Sequence, residues 1–555
     1  MEKDRDETGM PASGTRDGPS DPPESSPSPG PAAPLARPVA DRPAPRTRGA
    51  AVWGWAGPLL VAAFGAALRF NQLGRPHAVM FDETYYAKEG LSLITFGVER
   101  TALGTPTEHT ADDRLLAGNT DIWVHCTPPD AAPCPQYVVH PPLGKWMIGA
   151  GEWLFGADPF GWRFAAALAG VLSILILARV ARRMTGSTPL GCLAGLLLAL
   201  DGLHLVLSRT ALLDVFLMFW VLAGFACLVL DRDRAGERPA APRGSAPPAA
   251  GGPRLGTRPW RIAAGLCLGA ACAVKWSGIF FLVAFAVMSL AWDVGARRAA
   301  GTPRPRLGAL AAGAPTALFA MGVIPALTYL ASWTGWFLSP LGYGRNWARA
   351  ASQDPVHSVL DSLRSWADYH QMALRFHTGL TSSHPYQSDP WQWPLLLRPV
   401  AFHYQTPKGA CGTGGCSQAV LGVGTPVIWY GALAALIAMV VWYVDARDWR
   451  AGAILLAYGA GWLPWFYYAL IDDRTMFLFY MAPLLPFMML ALTLAASLLI
   501  GPRSAPARRR AVGRAVVGVF AMAALANLWW LYPVLSGEIV AQEQWSARML
   551  LRSWI

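Results

Sequence analysis

Long apolar stretches, separated by short arginine-rich segments, constrain this chain more than any other feature of its sequence. Stretches such as 212–230, 279–292, 427–444 and 476–500 approach or reach the roughly 20 residues that cross about 30 Å of hydrocarbon. Hydrophobic residues make up 53% of the chain and charged residues only 15%. These patterns predict an all-α membrane protein that crosses the bilayer many times.

The formal net charge of +11 does not indicate a nucleic-acid partner. The basic residues do not form one soluble face. They lie between the apolar stretches, which is the pattern of cytoplasmic loops in membrane proteins. We therefore predict that the lipid bilayer is a partner of this chain and that nucleic acid is not.

Arginine clusters also predict the topology. They occur within 37–48, 179–183, 232–261, 297–306, 447–450 and 503–514. If every cluster is cytoplasmic, two crossings must separate each cluster from the next. This gives eleven crossings, with the N-terminus cytoplasmic and the C-terminus external. The predicted spans are 51–70, 160–178, 190–207, 211–230, 262–276, 278–293, 308–331, 425–444, 451–470, 475–499 and 511–532.

The same topology divides the chain into regions. Residues 1–50 are rich in proline and almost free of large apolar residues, which predicts a disordered cytoplasmic tail. Because no apolar run precedes residue 51, we predict an uncleaved anchor rather than a secretory signal. Residues 51–331 form a membrane module that includes an external segment at 72–158. A second external segment follows at 332–424, and a four-helix membrane module at 425–555.

Cysteines outside the apolar stretches occur only in the two predicted external segments. Cys126 lies close to Cys134 in the first segment, and Cys411 lies close to Cys416 in the second. Close pairs on the oxidising side of a membrane favour disulfide bonds. Zinc binding is the alternative, but no set of histidine or cysteine partners has suitable spacing. We therefore expect no metal site.

Two adjacent carboxylates, Asp82 and Glu83, follow the first span at the predicted external boundary. A loop anchor is the simplest explanation of such a pair. However, His140, Lys145, Arg163, Lys275 and His384 all fall toward the same side of the membrane. An ion-coupled transporter should instead place acidic residues within its spans. The distribution indicates chemistry at the outer interface and disfavours a channel or transporter.

Transfer of a sugar from a lipid phosphate suits this position. A phosphate leaving group needs cations to hold it rather than a strong general acid. An acceptor hydroxyl gains from one carboxylate that acts as a base within hydrogen-bond reach. One carboxylate site with lysine and arginine at the same level provides these groups.

Seven short motifs, taken in order, resemble those of the protein O-mannosyltransferases. They are FDE at 81–83, VHPPLGK at 139–145, WRF at 162–164, SRTALLD at 208–214, VKWSG at 274–278, HPYQSDPWQWP at 384–394 and RTMFL at 474–478. The resemblance covers about residues 55–535. It implies a GT-C membrane fold, a polyprenyl-phosphate-mannose donor and a Ser/Thr acceptor in an exported protein.

The resemblance also implies roles for single residues. Asp82 is expected to act as the base, with Glu83 nearby and held by Arg163. Six residues are expected to bind the donor and its phosphate: Lys275, His140, Lys145, Arg209, His384 and Arg474. No cofactor is expected, because the lipid-linked mannose is itself a substrate, and the secretion machinery is a candidate partner.

Two departures from eukaryotic members of this family matter. The segment 332–424 is too short for the β-trefoil MIR domain that those members carry, which predicts a bacterial enzyme of the plasma membrane with an external active site. Val138 stands where those members often have Asp, so no role of that residue is carried over.

Several motifs have simpler structural explanations. Pro141 and Pro142 can start a helix, and Arg163 or Lys275 can anchor at the interface. Arg209 and Asp214 more readily hold neighbouring helices together than react. The tryptophan-rich stretch 391–394 is either an interfacial belt or part of a cover over the donor. The rival function is that of another GT-C enzyme, acting on a cell-wall glycan or lipid.

Overall fold

A computed structural model describes residues 48–104, 108–126, 132–236, 258–352, 359–411 and 415–555 of the 555-residue chain. The predicted cytoplasmic tail, 1–50, lies outside these residues except for its last three. Position 238, which the arginine pattern assigns to the cytoplasm, also lies outside them.

Helices form most of the described structure. In the first half they are α1 (Arg48–Phe70), α2 (Glu83–Phe96), α3 (Thr110–Leu116), α4 (Leu143–Phe155), α5 (Pro159–Thr185), α6 (Thr188–Ala199), α7 (Gly202–Leu207), α8 (Leu213–Gly236), α9 (Pro259–Val274) and α10 (Gly278–Ala299). Then follow α11 (Pro305–Gly308), α12 (Ala314–Leu318), α13 (Ile324–Ser332), α14 (Thr334–Leu338), α15 (Trp347–Ser352) and α16 (Val359–Thr378). The last are α17 (Pro426–Ala446), α18 (Trp449–Trp462), α19 (Pro464–Leu470), α20 (Leu485–Ile500), α21 (Ala507–Ser536) and α22 (Gln542–Ala547).

Each of the eleven predicted spans coincides with helical structure. Among the described residues, nine segments are long and apolar enough to cross a membrane: Ala51–Phe70, Pro159–Thr185, Leu213–Ala235, Gly278–Ala299, Pro305–Ser332, Pro426–Ala446, Trp449–Leu470, Leu478–Ile500 and Ala507–Ser536. The other two predicted spans contain shorter apolar helices, Thr188–Ala199 and Pro259–Val274. The chain is thus a multi-pass membrane protein, and the number of crossings and their orientation remain predictions.

The predicted span 190–207 is not one helix. It breaks between α6 and α7, at Leu200 and Asp201. The Asp201 carboxylate caps α7 by accepting from the His204 backbone N–H at 2.9 Å, and it also accepts from Trp429 Nε1 at 2.7 Å. These bonds satisfy a buried carboxylate and connect the break to the start of α17, which explains why a polar residue interrupts an apolar run.

A small antiparallel sheet corrects the all-α prediction. Strands β1 (Val400–Gln405), β2 (Cys416–Gly422) and β3 (Ile539–Ala541) lie in the order β1-β2-β3. In β1 the residues Val400 and Phe402 are buried and the residues between them are less so, which is the period-two pattern of a strand. The strands are short, and β3 is far from the other two in sequence, so hydropathy did not reveal them.

Each of the two segments predicted to be external carries one cysteine pair. Cys126 is bonded to Cys134, and Cys411 is bonded to Cys416 at the turn between β1 and β2. The amphipathic helix α16 contacts the segment before α4 through Tyr369, whose hydroxyl donates to Val138 O at 2.7 Å and accepts from Val138 N at 3.0 Å. The segment after α21 returns to the sheet as β3, and Trp554 is buried with its Nε1 donating to Leu396 O.

Candidate active site

Phe81 places the two carboxylates at the start of α2. Its backbone lies in the left-handed region, with φ of 49°, which is uncommon for a residue with a side chain. Its ring packs against Phe402 and Phe479, with centroid distances of 5.1 and 5.9 Å. An aromatic cluster therefore holds the strained residue that immediately precedes Asp82. Strain of this kind is often found at functional sites.

Asp82 combines burial with a free carboxylate. It occupies the cap position of α2, yet its side chain makes no capping hydrogen bond, and it forms no ion pair within the described part of the chain. Part of the side chain remains accessible although the group lies deep in the protein. Burial raises the pKa of Asp82 from 3.8 to about 6, with Lys275 opposing and Asp214 adding to the shift. Asp82 can therefore act as a base near neutral pH.

Glu83 has the opposite character. It is fully buried and forms a two-point ion pair with Arg163, whose Nε and Nη2 each lie 2.8 Å from a carboxylate oxygen. The same carboxylate accepts from the backbone N–H groups of Met80 and Ala211. Both carboxylate oxygens of Glu83 thus accept hydrogen bonds from other groups of the protein. The structure therefore contains the expected contact of Glu83 with Arg163, and an orienting role for Glu83 stays a prediction.

Arg163 joins α5 to the segment before α2. Besides Glu83, its guanidinium donates to the carbonyl oxygens of Leu73, Pro76 and Ala78, at 3.3, 2.9 and 2.7 Å. The side chain is fully buried. This arrangement excludes the alternative that Arg163 is an interfacial arginine reaching toward water.

Lys275 lies between α9 and α10 and pairs with Asp214, at the start of α8. Its Nζ is 2.9 and 3.1 Å from the two carboxylate oxygens of Asp214. It also lies 5.3 Å from the ring centroid of Tyr480. Burial acts to lower the pKa of Lys275, but Asp214 and Tyr480 outweigh it, so the pKa is raised and the ammonium stays charged. Lys275 Nζ also lies 5.8 Å from the ring centroid of Phe479, which packs against Phe81 next to Asp82, so the lysine and Asp82 line the same region.

A histidine pair and Arg474 adjoin this cation. The rings of His140 and His377 lie 5.2 Å apart, and Arg474 donates from Nη1 to the His377 carbonyl oxygen. His140 Nδ1 is buried and has no hydrogen-bond partner in the part of the chain that the structure describes. Burial lowers the pKa of His140 well below its usual range, and Lys275, His377, Lys145 and Arg474 lower it further. His140 is therefore a neutral group with an unpaired ring nitrogen near three cations.

His384 belongs to the aromatic cluster around Phe81. Its ring lies 6.0 Å from Phe81 and 5.1 Å from Phe477, both edge to face. Its Nδ1 accepts from the Tyr386 backbone N–H at 3.1 Å. Within the tryptophan-rich stretch, Trp393 is buried and bonds to Ser388, whereas Trp391 is 45% exposed. His384 thus lies near Asp82, while the stretch 391–394 divides between core and surface.

Two other predicted phosphate ligands are engaged by other groups of the protein. Lys145 is fully buried, with its Nζ 2.6 Å from Glu99 and 3.5 Å from Glu89. Arg209 donates to the carbonyl oxygens at the end of α1, including those of Arg69 at 2.8 Å and Asn71 at 2.7 Å. Arg209 therefore holds α1 to the start of α8, as its structural alternative predicted. We do not include either side chain in the proposed phosphate site.

The sequence analysis noted Asp214 but did not predict its partner. Asp214 was expected to hold helices together, and it does so through Lys275, 61 positions away. His377 was not among the candidates, although it links His140 to Arg474. Its only sequence signal was its place on α16, an amphipathic helix rich in histidine and aromatic residues.

Comparisons with known proteins show the family of this chain. A family model described as dolichyl-phosphate-mannose-protein mannosyltransferase matches residues 136–332, and one for the C-terminal four TMM region of protein-O-mannosyltransferase matches residues 362–554. A polyprenol-phosphate-mannose–protein mannosyltransferase of Mycolicibacterium smegmatis (strain MKD8) is 39% identical over 519 residues, which cover 90% of this chain and 93% of that protein. The chain belongs to this mannosyltransferase family.

Other relatives agree. The polyprenol-phosphate-mannose–protein mannosyltransferase of Mycobacterium tuberculosis (strain CDC 1551 / Oshkosh) is 37% identical, over 90% of this chain and 92% of that protein. The corresponding protein of Corynebacterium glutamicum is 31% identical, over 89% and 92%. The predicted family and enzyme class are thus confirmed, and this mannosyltransferase is a glycosyltransferase.

The fold also has a solved counterpart. The Saccharomyces cerevisiae protein O-mannosyltransferase Pmt1-Pmt2 complex, bound to the sugar donor, superposes with a TM-score of 0.65 and covers 90% of this chain and 92% of that chain. At 14% identity this likeness shows the fold alone. The mannosyltransferase therefore has the GT-C architecture that its motifs implied.

Proposed function

We propose that this enzyme transfers mannose from a polyprenyl-phosphate-mannose donor to Ser or Thr hydroxyl groups of exported proteins. The observation that carries the proposal is the contrast between two neighbouring carboxylates. Asp82 is free and has a pKa of about 6, whereas Glu83 is wholly engaged by Arg163 and backbone N–H groups. The names of the relatives supply the donor and the protein acceptor.

The reaction needs one base and one anion site. Asp82 accepts the proton of the acceptor hydroxyl while the hydroxyl oxygen attacks the anomeric carbon of mannose. The bond from that carbon to the phosphate oxygen breaks, and polyprenyl phosphate leaves. One displacement inverts the anomeric centre, so a second carboxylate is not needed to form a covalent intermediate. Glu83 accordingly takes no part in the proton transfer and serves as a positioning residue.

Lys275, Arg474 and His140 form the proposed phosphate site. Lys275 is charged and lies beside Asp82, Arg474 is anchored to His377, and His140 offers an unpaired ring nitrogen. Asp214 holds Lys275 in place while leaving its remaining donor positions for the phosphate. Cations at this position stabilise the charge that develops on the leaving group.

A reconstituted assay tests the proposal. The purified full chain, given polyprenyl-phosphate-mannose and a Ser/Thr peptide, should form an α-linked mannosyl peptide from the β-linked donor. The matched peptide with alanine at the acceptor position should remain unmodified. Product from a glycan or lipid acceptor alone, with none from the peptide, would favour the rival GT-C function.

The cellular setting is part of the same proposal. We place the enzyme in a bacterial plasma membrane with its site on the external face, where exported chains emerge. Loss of hexose from Ser and Thr of exported proteins in a deletion strain is the expected result. An unchanged glycoproteome with an altered wall glycan would contradict the assignment.

A further inference from the structure

The connection from α20 to α21 holds an uncompensated group of positive charges. Five arginines occur within twelve residues: Arg503, Arg508, Arg509, Arg510 and Arg514. No acidic residue lies in this stretch, and none of the five pairs with a carboxylate elsewhere in the described chain. Like charges at this density repel one another, so they favour a bound anion, and no described residue supplies its charge.

The N-terminal end of α21 adds to the positive charge of these arginines. Pro506 stands at the cap position and offers no side-chain hydrogen bond to the first turn. The N-terminal end of a helix carries a partial positive charge, and anionic side chains normally occupy it. Here three consecutive arginines, 508–510, occupy the first turn instead. The backbone and the side chains therefore attract an anion to the same place.

An apolar groove opens directly beside these charges. It has a volume of about 420 Å³ and is lined by Leu499, Pro506, Arg508, Arg509, Val512, Gly513 and Val516. The two helices approach closely at Gly513, where an added Cβ would lie 2.7 Å from Ile500 Cα. Arg509 spans the junction by donating to Leu498 O at 3.1 Å. The groove thus has an apolar floor and a cationic rim.

We propose that this groove binds one anionic glycerophospholipid, with its phosphate between Arg508 and Arg509 and an acyl chain against Val512 and Val516. Planar guanidinium groups bind phosphate oxygens in pairs, and basic pockets between transmembrane helices suit anionic headgroups. A soluble anion would leave the apolar walls uncovered, and an uncharged lipid would leave the arginines uncompensated. The site is separate from the transfer reaction.

Native mass spectrometry of the purified, delipidated full chain tests this assignment. Phosphatidylglycerol should bind about tenfold or more tightly than phosphatidylcholine with the same acyl chains. The double variant R508Q/R509Q should lose this preference. The matched double variant R503Q/R514Q removes the same charge outside the groove and should keep it. All variants should first show melting temperatures close to that of the wild type.

A second pair of variants probes the groove without changing charge. Val516→Trp fills the groove and should weaken phosphatidylglycerol binding severalfold, whereas Ala511→Trp, at an exposed position outside the lining, should not. Equal binding of the two lipids to the wild type would overturn the proposal. So would equal losses in the two double variants, which would indicate diffuse charge, or unchanged binding in Val516→Trp.

Discussion

At the scale of single residues, the two adjacent carboxylates have different surroundings, because Asp82 makes no capping hydrogen bond whereas Glu83 pairs with Arg163. The sequence predicted this division for Asp82 and Glu83, together with the partner Arg163. It did not predict the pair of Lys275 with Asp214, because a contact across 61 positions depends on how α8 and α9 pack. It also did not predict the buried ion pair of Lys145 with Glu99, which is why Lys145 is left out of the proposed phosphate site.

Asp82→Asn should abolish transfer while leaving donor binding intact. The amide keeps the shape of the side chain but cannot accept the proton, and base catalysis is typically worth about 10²–10⁴-fold. Turnover of the purified variant and its affinity for polyprenyl-phosphate-mannose are the measurements. Near wild-type transfer would remove Asp82 from the mechanism. Loss of wild-type activity on chelation would show that the reaction needs a metal.

The pH dependence should follow the ionisation of Asp82. Its pKa is raised to about 6, and only the ionised form can accept a proton. The value of kcat/KM should therefore fall as pH decreases through about 6, approaching tenfold per pH unit below it. In Asp214→Asn this decrease of kcat/KM should occur at lower pH, because Asp214 helps to raise the pKa of Asp82. A decrease at an unchanged pH would show that another group is titrating.

Lys275→Gln should weaken donor binding. Loss of a hydrogen bond to a charged group costs about 1.5–3 kcal/mol, which corresponds to roughly ten- to a hundredfold or more in affinity. Lys408→Gln, at an exposed lysine in the loop between β1 and β2, is the matched control and should bind normally. Donor saturation curves for both variants measure the change in affinity. Unchanged saturation in Lys275→Gln would leave this lysine as a structural partner of Asp214.

At the scale of elements, the site depends on contacts that join helices distant in sequence. Arg163 connects α5 to the segment before α2, and Tyr369 connects α16 to Val138. The spans themselves were predictable, because apolar runs of sufficient length leave few alternatives in a bilayer. The break at Asp201 and the small sheet were not, since both depend on tertiary hydrogen bonds rather than on local hydropathy.

Removing one partner of the Glu83–Arg163 pair should destabilise the fold. Glu83→Ala leaves a fully buried guanidinium without its counter-charge, which typically costs about 3–5 kcal/mol. Arg364→Ala is the control, because its side chain is 67% exposed and its pair with Asp361 should contribute little. Thermal unfolding in detergent is the measurement. Equal melting temperatures for the two variants would contradict the structural role of Glu83.

At the scale of the whole molecule, both cysteine pairs lie in the segments predicted to be external, and so do Asp82 and His140 of the site. After reduction, Cys126 and Cys411 in intact cells should react with a membrane-impermeant thiol reagent. A cysteine introduced as Ser504→Cys, between α20 and α21, should be protected until the membrane is opened. The reverse labelling pattern would invert the topology and with it the proposed external site.

The last segment of the chain has a consequence for biosynthesis. Residues 537–555 leave the ribosome after all other described segments, yet they supply β3 and the buried Trp554. The sheet they complete contributes Phe402, which contacts Phe81 beside Asp82. The walls of the site are therefore finished only after residues 537–555 have been made. A nascent copy of this enzyme should stay inactive until then, however early its helices enter the membrane.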